Sequence, residues 1–252
     1  MIQPYDGRAK RPLRKVNHED ATPFYGRIAK GFGWLMRRTS KQDWGPMDAI
    51  PETGPLLVCP NHISNYDPPA IGHFLMWSGR FPYYLAKEEV FKVPFVGWVA
   101  RGCDMIPVAR HSSQAAEALV AAKKGLDQGK CMVIYPEGKR TRDPELWPMT
   151  GRNGAARLAL TTRTPVIPVG QWGAQEVMPP GEKGFHFIPR RTMHVMAGPP
   201  VELSDLYSDN PNGAALNEAT KRIMDAITTL VIEVRGEPAP EGRWDTRAGA
   251  RI

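Results

Sequence analysis

Short apolar runs alternate with longer stretches of helical period along most of the chain. The short runs are rich in β-branched and other apolar residues, which is typical of strands. Their alternation with helical patterns predicts βαβ units around a largely parallel sheet. The predicted strands are residues 55–59, 83–86, 103–108, 131–135, 165–169 and 192–196. We therefore expect an α/β fold, a single domain whose mostly parallel or mixed central sheet is flanked by helices.

Two long stretches show the apolar stripe of a helix that covers such a sheet. The first spans residues 113–128, where Ser113 can cap the start and Gly129 can end the helix. The second runs from about residue 213 to residue 234 and places its large apolar residues on one face. Both patterns predict helices packed on the core.

An N-terminal amphipathic helix is predicted over residues 22–38, where Thr22 followed by Pro23 is a good start signal. Its apolar arc contains Phe24, Tyr25, Ile28, Phe32, Leu35 and Met36, and its basic arc contains Arg27, Lys30, Arg37 and Arg38. Two interpretations stay open. The apolar face enters the acyl boundary of an anionic membrane, or it packs on the core and leaves a solvated basic face.

The length of 252 residues and a hydrophobic content of 42% suit one α/β domain with a buried core. Residues 1–21 are basic and proline-spotted, and residues 236–252 are similarly unpatterned. We expect both ends to be loose tails around a domain at residues 22–235.

The net charge of the chain indicates which classes of partner it can bind. Lys and Arg number 33 against 26 Asp and Glu, and this net charge of +7 favours anionic partners such as phosphates or acidic lipid headgroups. We expect no nucleic acid, because the aromatic residues are not interleaved with cations in a stacking pattern. No apolar run approaches the roughly 18 residues that cross a bilayer, and the N-terminal residues lack a secretory signal. We expect a cytoplasmic protein associated peripherally with the membrane.

The three cysteines, Cys59, Cys103 and Cys131, are odd in number and have no CxxC spacing. This pattern argues against a disulfide framework and a zinc site, and it favours buried, reduced thiols. We expect no metal ion.

A histidine and an aspartate follow the first predicted strand, where α/β proteins place their active-site loops. Asp67 can accept a hydrogen bond from one imidazole nitrogen of His62, so that the other nitrogen can take a proton from an attacking hydroxyl. Asp67 before Pro68 is also typical of a helix N-cap, and the two roles are compatible. Ser64 offers a rival interpretation as a hydrolase nucleophile, but no G-x-S-x-G motif surrounds it.

A second loop, residues 135–142, again follows an apolar strand and carries three cations in four positions. Gly138 lets backbone approach a ligand closely. Arg140 offers planar donors that match phosphate oxygens, and Lys139 adds a point charge. Taken alone, this loop would be read as a solvated basic turn.

Two more cations stand at predicted strand ends. Arg110 closes the strand predicted at residues 103–108, and Lys87 lies at a comparable position after residues 83–86. If the strands are parallel, these side chains project at the edge that carries His62. We therefore expect a cation-lined pocket beside a histidine.

With these residues in view, the chain resembles the glycerolipid acyltransferase family, whose bacterial members include the 1-acylglycerol-3-phosphate (lysophosphatidic acid) acyltransferases. The likeness spans about residues 55–169, and four sequence blocks occur in the family's order. The blocks are Asn61-His62 with Asp67, Ile106-Pro107-Val108 with Arg110, Tyr135-Pro136-Glu137-Gly138 with Arg140, and Val166-Ile167-Pro168-Val169. Lys139 and Thr141 depart from the residues common in relatives, which leaves fine acceptor specificity open.

The resemblance implies an acyltransferase domain at residues 22–235 that acylates 1-acylglycerol-3-phosphate to phosphatidic acid without an acyl-enzyme. It implies that His62 is the base and that Asp67 orients it. The implied acceptor phosphate site contains Arg110, Glu137, Gly138 and Arg140. The implied donor is acyl-CoA, a co-substrate rather than a cofactor, or acyl carrier protein. The expected partners are a lysophospholipid acceptor and an anionic membrane surface.

Two alternatives stay open. The acceptor could be glycerol-3-phosphate, another lysophospholipid or a glycolipid, because a phosphate clamp does not read the rest of the molecule. A non-catalytic protein that binds anionic lipid would also explain the basic helix and loops, although the paired His62 and Asp67 argue against it.

Overall fold

The computed structural model describes residues 7–108, 112–182 and 184–252 of the chain. Within these residues, seven strands form the main sheet and a short hairpin lies near the C-terminus. The strands are β1 Ser40–Trp44, β2 Leu56–Pro60, β3 Pro82–Lys87, β4 Ile106–Val108, β5 Cys131–Val133, β6 Val166–Trp172 and β7 Arg191–Ala197, with the hairpin β8 Trp244–Asp245 and β9 Ala250–Arg251.

The main sheet runs in the order β1-β7-β6-β2-β5-β3-β4. Neighbouring strands from β6 to β4 are parallel, β7 is antiparallel to β6, and β1 is parallel to β7. The predicted mostly parallel sheet is therefore confirmed. The sequence missed β1, because its polar middle residues are not buried and only Ser40 and Trp44 at its ends are.

Helices lie against the sheet, as predicted. They are α1 Pro23–Thr39, α2 Asp67–Trp77, α3 Glu88–Lys92, α4 Pro94–Gly102, α5 Ser112–Asp127, α6 Gly154–Thr162, α7 Ala174–Val177 and α8 Gly213–Arg235. The long helix α8 packs on β6, where a Cβ atom added to Gly170 would lie 2.6 Å from Cβ of Leu230. A glycine in the strand is therefore what allows the helix to approach this closely.

Helix α1 begins where the sequence predicts, because the Thr22 side chain accepts a hydrogen bond from the amide of Tyr25 at 3.2 Å. Most of its apolar arc faces the protein: Tyr25 and Met36 are buried and Phe32 packs against the core, whereas Leu35 is 49% exposed. This packing supports the interpretation in which the helix packs on the core and leaves a solvated basic face. Apolar surface on α2 and the sheet was available to cover the arc, which the helical period alone does not reveal.

Both predicted tails differ from the expectation of loose ends. Ala9 and Leu13 are buried against the core. At the other end, the β8–β9 hairpin rests on the segment that follows β5, where the amide of Thr150 donates to the carbonyl of Trp244 at 3.1 Å. These contacts are made by single residues rather than by a periodic apolar face, so the pattern of the tails did not predict them.

None of the helices in the described part of the chain is both long enough and apolar enough to cross a bilayer. The three cysteines are free and buried, as predicted. Burial raises the pKa of Cys131 to about 12, which is typical of an unreactive structural thiol.

Candidate active site

The loop between β2 and α2 holds His62 against Asp67. Nδ1 of His62 lies 2.7 Å from Oδ2 of Asp67, and the same oxygen accepts hydrogen bonds from the amides of Ile63 at 2.6 Å and Ser64 at 2.9 Å. The Asp67 side chain is fully buried, whereas that of His62 retains 15% of its exposure. Asp67 thus fixes the imidazole through Nδ1 and leaves Nε2 as the nitrogen that can meet a substrate.

Asp67 is the first residue of α2, but it does not cap that helix. Tyr66 occupies the N-cap position, and no side chain caps the helix end. Pro68 and Pro69 have no amide hydrogen to donate, and the amide of Ala70 donates to the carbonyl of Tyr66 at 3.1 Å. The predicted N-cap role was therefore wrong. The carboxylate turns back to the loop, where it contacts the His62 imidazole and the amides of Ile63 and Ser64.

Ser64 is not placed as a nucleophile. It is fully buried, and its hydroxyl donates to the carbonyl of Met178 at 2.8 Å while accepting from the amide of Tyr66 at 3.0 Å. A hydroxyl engaged in this way ties the loop to α7 and to α2. The hydrolase interpretation is therefore not supported by the geometry.

Glu137 holds the backbone of the base. Its Oε1 atom accepts from the amide of His62 at 2.8 Å, and its Oε2 atom accepts from the amide of Met149 at 3.0 Å. The residue is 1% exposed, and burial raises the pKa of Glu137 to about 8 although both amides act in the opposite direction. Both carboxylate oxygens are occupied inside the protein. The contacts therefore give Glu137 a positioning role, and its implied part in shaping the acceptor phosphate site stays a prediction.

The ring of Tyr135 stacks on His62, with centroids 4.2 Å apart and planes 27° from parallel. Its hydroxyl is buried, and it has no hydrogen-bond partner among the described residues. Burial raises the pKa of Tyr135 well above its usual range, so it remains a neutral phenol. An electron-rich face beside the imidazole would favour a positive charge on that ring.

The loop after Glu137 brings the predicted cations to the base. The amide of Thr141 donates to the carbonyl of His62 at 2.7 Å, so Arg140 stands one residue from that contact. Lys139 and Arg140 are half-exposed, and within the described residues neither makes a recorded hydrogen bond or ion pair. Gly138 has a φ of +70°, and a Cβ atom there would lie 2.8 Å from Cδ of Arg152. This sharp turn therefore requires glycine.

The remaining two predicted cations are Lys87 and Arg110, and the structure describes only the backbone of Lys87. Lys87 ends β3 and is in register with Val108 of β4, so both strand ends face the edge that carries the His62 loop. The Lys87 side chain and the whole of Arg110 lie outside the described residues. Their predicted part in the phosphate site stays a prediction.

Sequence reasoning gave no role to Asn61, which precedes the base. Its side-chain amide donates to the carbonyl of Gln171 at 3.1 Å, and its oxygen accepts from the amide of Gln171 at 2.9 Å. This pair joins the ends of β2 and β6 and fixes where the His62 loop leaves the sheet. The position of Asn61 beside a candidate base was the available signal.

The C-terminal hairpin braces the loop that follows Glu137. Arg251 donates to both carboxylate oxygens of Asp143 at 2.8 and 2.9 Å, and it also contacts Glu145 at 2.7 Å. Burial acts to raise the pKa of Asp143, but these hydrogen bonds outweigh it and hold the pKa below its usual range. No sequence pattern linked residues more than a hundred positions apart.

Comparison with known proteins agrees with this geometry. The chloroplastic 1-acyl-sn-glycerol-3-phosphate acyltransferase of Brassica napus is 26% identical over 147 residues, covering 58% of this chain and 41% of that protein. The 1-acyl-sn-glycerol-3-phosphate acyltransferase of Borreliella burgdorferi is 32% identical over 122 residues, covering 48% of this chain and 46% of that protein. The matched segments thus span less than half the length of these curated relatives.

The fold is shared with a solved structure. The crystal structure of the 1-acyl-sn-glycerophosphate acyltransferase PlsC from Thermotoga maritima matches with a TM-score of 0.61 at 22% identity, covering 92% of this chain and 83% of that chain. A family model for acyltransferases matches residues 45–172, just over half of the 252 residues. That range contains His62, Asp67 and the loop that holds them, and the chain therefore belongs to the acyltransferase family.

Proposed function

We propose that this protein is a 1-acylglycerol-3-phosphate O-acyltransferase, which moves a fatty acyl group from acyl-CoA to the free hydroxyl of the acceptor and gives phosphatidic acid. The observation that carries the proposal is the 2.7 Å contact between His62 and a fully buried Asp67. The activity named for the relatives in Brassica napus and Borreliella burgdorferi supports the choice of acceptor.

In the proposed reaction, Nε2 of His62 takes the proton of the acceptor hydroxyl as its oxygen attacks the thioester carbon. A carbon–oxygen bond forms, and the carbonyl becomes a tetrahedral oxyanion. Collapse breaks the carbon–sulfur bond, and the leaving thiolate takes the proton back from the imidazolium. Asp67 stabilises that imidazolium, and Tyr135 presents its ring face to it.

The acceptor phosphate is assigned to the side of the site that carries Lys139 and Arg140. Arg140 and Lys139 have no partner recorded within the described residues, and they follow directly on the segment that contacts His62. A guanidinium and an ammonium there can hold a phosphate by charge-assisted hydrogen bonds. Such a clamp keeps the hydroxyl near the base and lowers the entropic part of the barrier.

The thioester donor is acyl-CoA, with acyl carrier protein as the alternative carrier, and the reaction needs no cofactor or metal. The acceptor is an amphiphile that resides in a lipid surface. The proposal therefore includes peripheral association with an anionic membrane, for which the excess of Lys and Arg, 33 against 26 acids, gives support.

The test is an acyl-transfer assay with 1-acylglycerol-3-phosphate and acyl-CoA on purified His62→Ala and Asp67→Asn variants. Loss of the general base should lower kcat at least about 100-fold. Asp67→Asn should approach that loss, because the amide cannot hold the productive imidazole orientation.

The chain offers a matched control. His194 and Asp43 form a second pair with the same 2.7 Å distance, but it is exposed and lies on β7 and β1. His194→Ala should leave kcat unchanged. Full transfer by the His62 variant would end the base assignment.

A panel of acceptors in the same assay separates the alternatives. Turnover only with glycerol-3-phosphate, another lysophospholipid or a glycolipid would keep the acyltransferase activity and assign it to that acceptor. Absence of turnover with every acceptor, together with retained lipid binding, would favour the non-catalytic alternative.

A further inference from the structure

Helix α4 and its N-cap residue, Val93, expose four large apolar side chains. Phe95 is 72% exposed, Trp98 51%, Val93 48% and Val96 46%. We name these four residues the α4 patch. Its opposite side, with Gly97 and Ala100, is buried. Four large apolar side chains exposed together on one short segment mark an interaction surface rather than chance exposure.

Aromatic contacts hold the α4 patch in place on the domain. Trp98 packs edge-to-face on Phe24 of α1, with ring centroids 4.8 Å apart, and Phe95 lies 6.0 Å from Trp98. The inner side of α4 therefore rests on the domain while its outer rings remain free. Aromatic rings held in this way are the side chains that lie at the boundary between lipid headgroups and acyl chains.

The two helical segments that meet at the patch, α1 and α3–α4, carry exposed cations. Arg27, Lys30 and Arg38 are exposed on the outer face of α1, and Lys92 and Arg101 are exposed at the two ends of the α3–α4 segment. Together, α1 and the α3–α4 segment carry six cations and two acids, Glu88 and Glu89. An exposed apolar patch on segments with a net positive charge is complementary to an anionic bilayer.

The connections of the sheet place this surface on the side of the candidate site. Helix α3 follows β3 directly, and β3 is parallel to β5, which is parallel to β2. The His62 loop leaves the same ends of these strands. A lipid bound at the patch would therefore reach the base without crossing the sheet.

We infer that the α4 patch is the membrane-docking surface of this protein and that it binds an anionic lipid bilayer. Most of the apolar face of α1 is packed on the core and is therefore less available to a bilayer. The inference deepens the proposed function by naming the lipid-contacting surface, but vesicle binding can be measured without turnover.

The test is co-sedimentation of the full chain with vesicles of phosphatidylcholine and phosphatidylglycerol. The Phe95→Ser/Val96→Ser double variant should lower the partition coefficient about tenfold or more. The matched control is Val120→Ser on α5, which removes an apolar side chain that is 69% exposed elsewhere. Its binding should equal that of the wild type. Equal binding by the double variant, or an equal loss in the control, would overturn the inference.

Two further measurements complete the test. Sedimentation velocity without lipid reports whether a second copy of the chain covers the patch; a dimer that the double variant dissociates, with vesicle binding intact, counts against a lipid occupant. Transfer to a short-chain, water-soluble acceptor should be retained by the double variant. Loss of vesicle binding with this transfer retained supports the inference, and wild-type inactivity in this assay counts against the proposed function alone.

Discussion

The two sides of the candidate site are held in different ways. On the base side, His62 is contacted through its ring, its amide and its carbonyl, and Asp67 and Glu137 are both buried. On the other side, Lys139 and Arg140 are half-exposed, and the described residues record no hydrogen bond or ion pair for either. The two sides therefore suit different tasks in the proposed reaction: a held imidazole suits a preorganised base, and cations without a protein partner suit the binding of an anion.

Apart from changes to His62 and Asp67 themselves, the largest fall in kcat is expected from a change at Glu137, which holds the amide of His62. Above pH 8, where the wild-type residue is a carboxylate, Glu137→Gln turns one end of the side chain into a donor that opposes the amide of His62 or Met149. Losing that contact costs roughly 1–3 kcal/mol, so kcat should fall between about 5-fold and 150-fold. The KM for the acceptor should stay within about twofold. Steady-state kinetics decide, and a rise in KM at constant kcat would instead give Glu137 a direct contact with the acceptor.

The same variant has a signature in stability. The pKa of Glu137 is raised from 4.5 to about 8 in the folded protein, so the folded state binds the extra proton between these values. Its contribution to the free energy of unfolding is therefore largest at low pH and is lost as the pH rises toward 8. Urea unfolding across this range should show a fall that is smaller in Glu137→Gln. Identical pH slopes in both proteins would contradict the raised pKa.

The side that carries Lys139 and Arg140 is tested by Arg140→Ala. If Arg140 binds the acceptor phosphate, its removal should raise the acceptor KM about 30-fold, since a charge-assisted hydrogen bond contributes roughly 2 kcal/mol. The kcat should change little. The control is Arg142→Ala in the same loop, an exposed cation whose loss should leave KM unchanged. Equal effects of both variants would reduce the role of Arg140 to general charge.

The smallest effect is expected at Tyr135, which sharpens the description of the base side. Tyr135→Leu removes the stacked ring and should lower kcat about 2- to 5-fold, in line with a contribution of roughly 0.5–1 kcal/mol. Tyr135→Phe keeps the ring and removes only a hydroxyl without a recorded partner, so kcat should be unchanged. Comparing kcat for the two variants separates stacking from a role of the hydroxyl; a loss in Tyr135→Phe would assign that role.

The sequence predicted the base side where its contacts are local. His62 and Asp67 lie in one loop after one strand, so their spacing indicated the pair. The role of Glu137 was not predictable in the same way, because its partners are the amides of His62, 75 positions away, and of Met149, 12 positions away. A hydrogen bond from a backbone amide does not depend on the side chain of its residue, so a sequence motif does not reveal it. The family resemblance indicated Glu137 as a site residue, and only the fold showed which amides it contacts.

The sequence by itself predicted six strands of the main sheet, the helices at residues 22–38, 113–128 and 213–234, and the loop that carries His62 and Asp67. Each depends on periodicity or on residues close along the chain, which a pattern records. Only the tertiary structure decided that α1 turns most of its apolar face inward, that β1 completes the sheet and that Arg251 braces Asp143. These outcomes depend on which distant surface is available for burial or hydrogen bonding, and that is fixed only when the whole chain has packed.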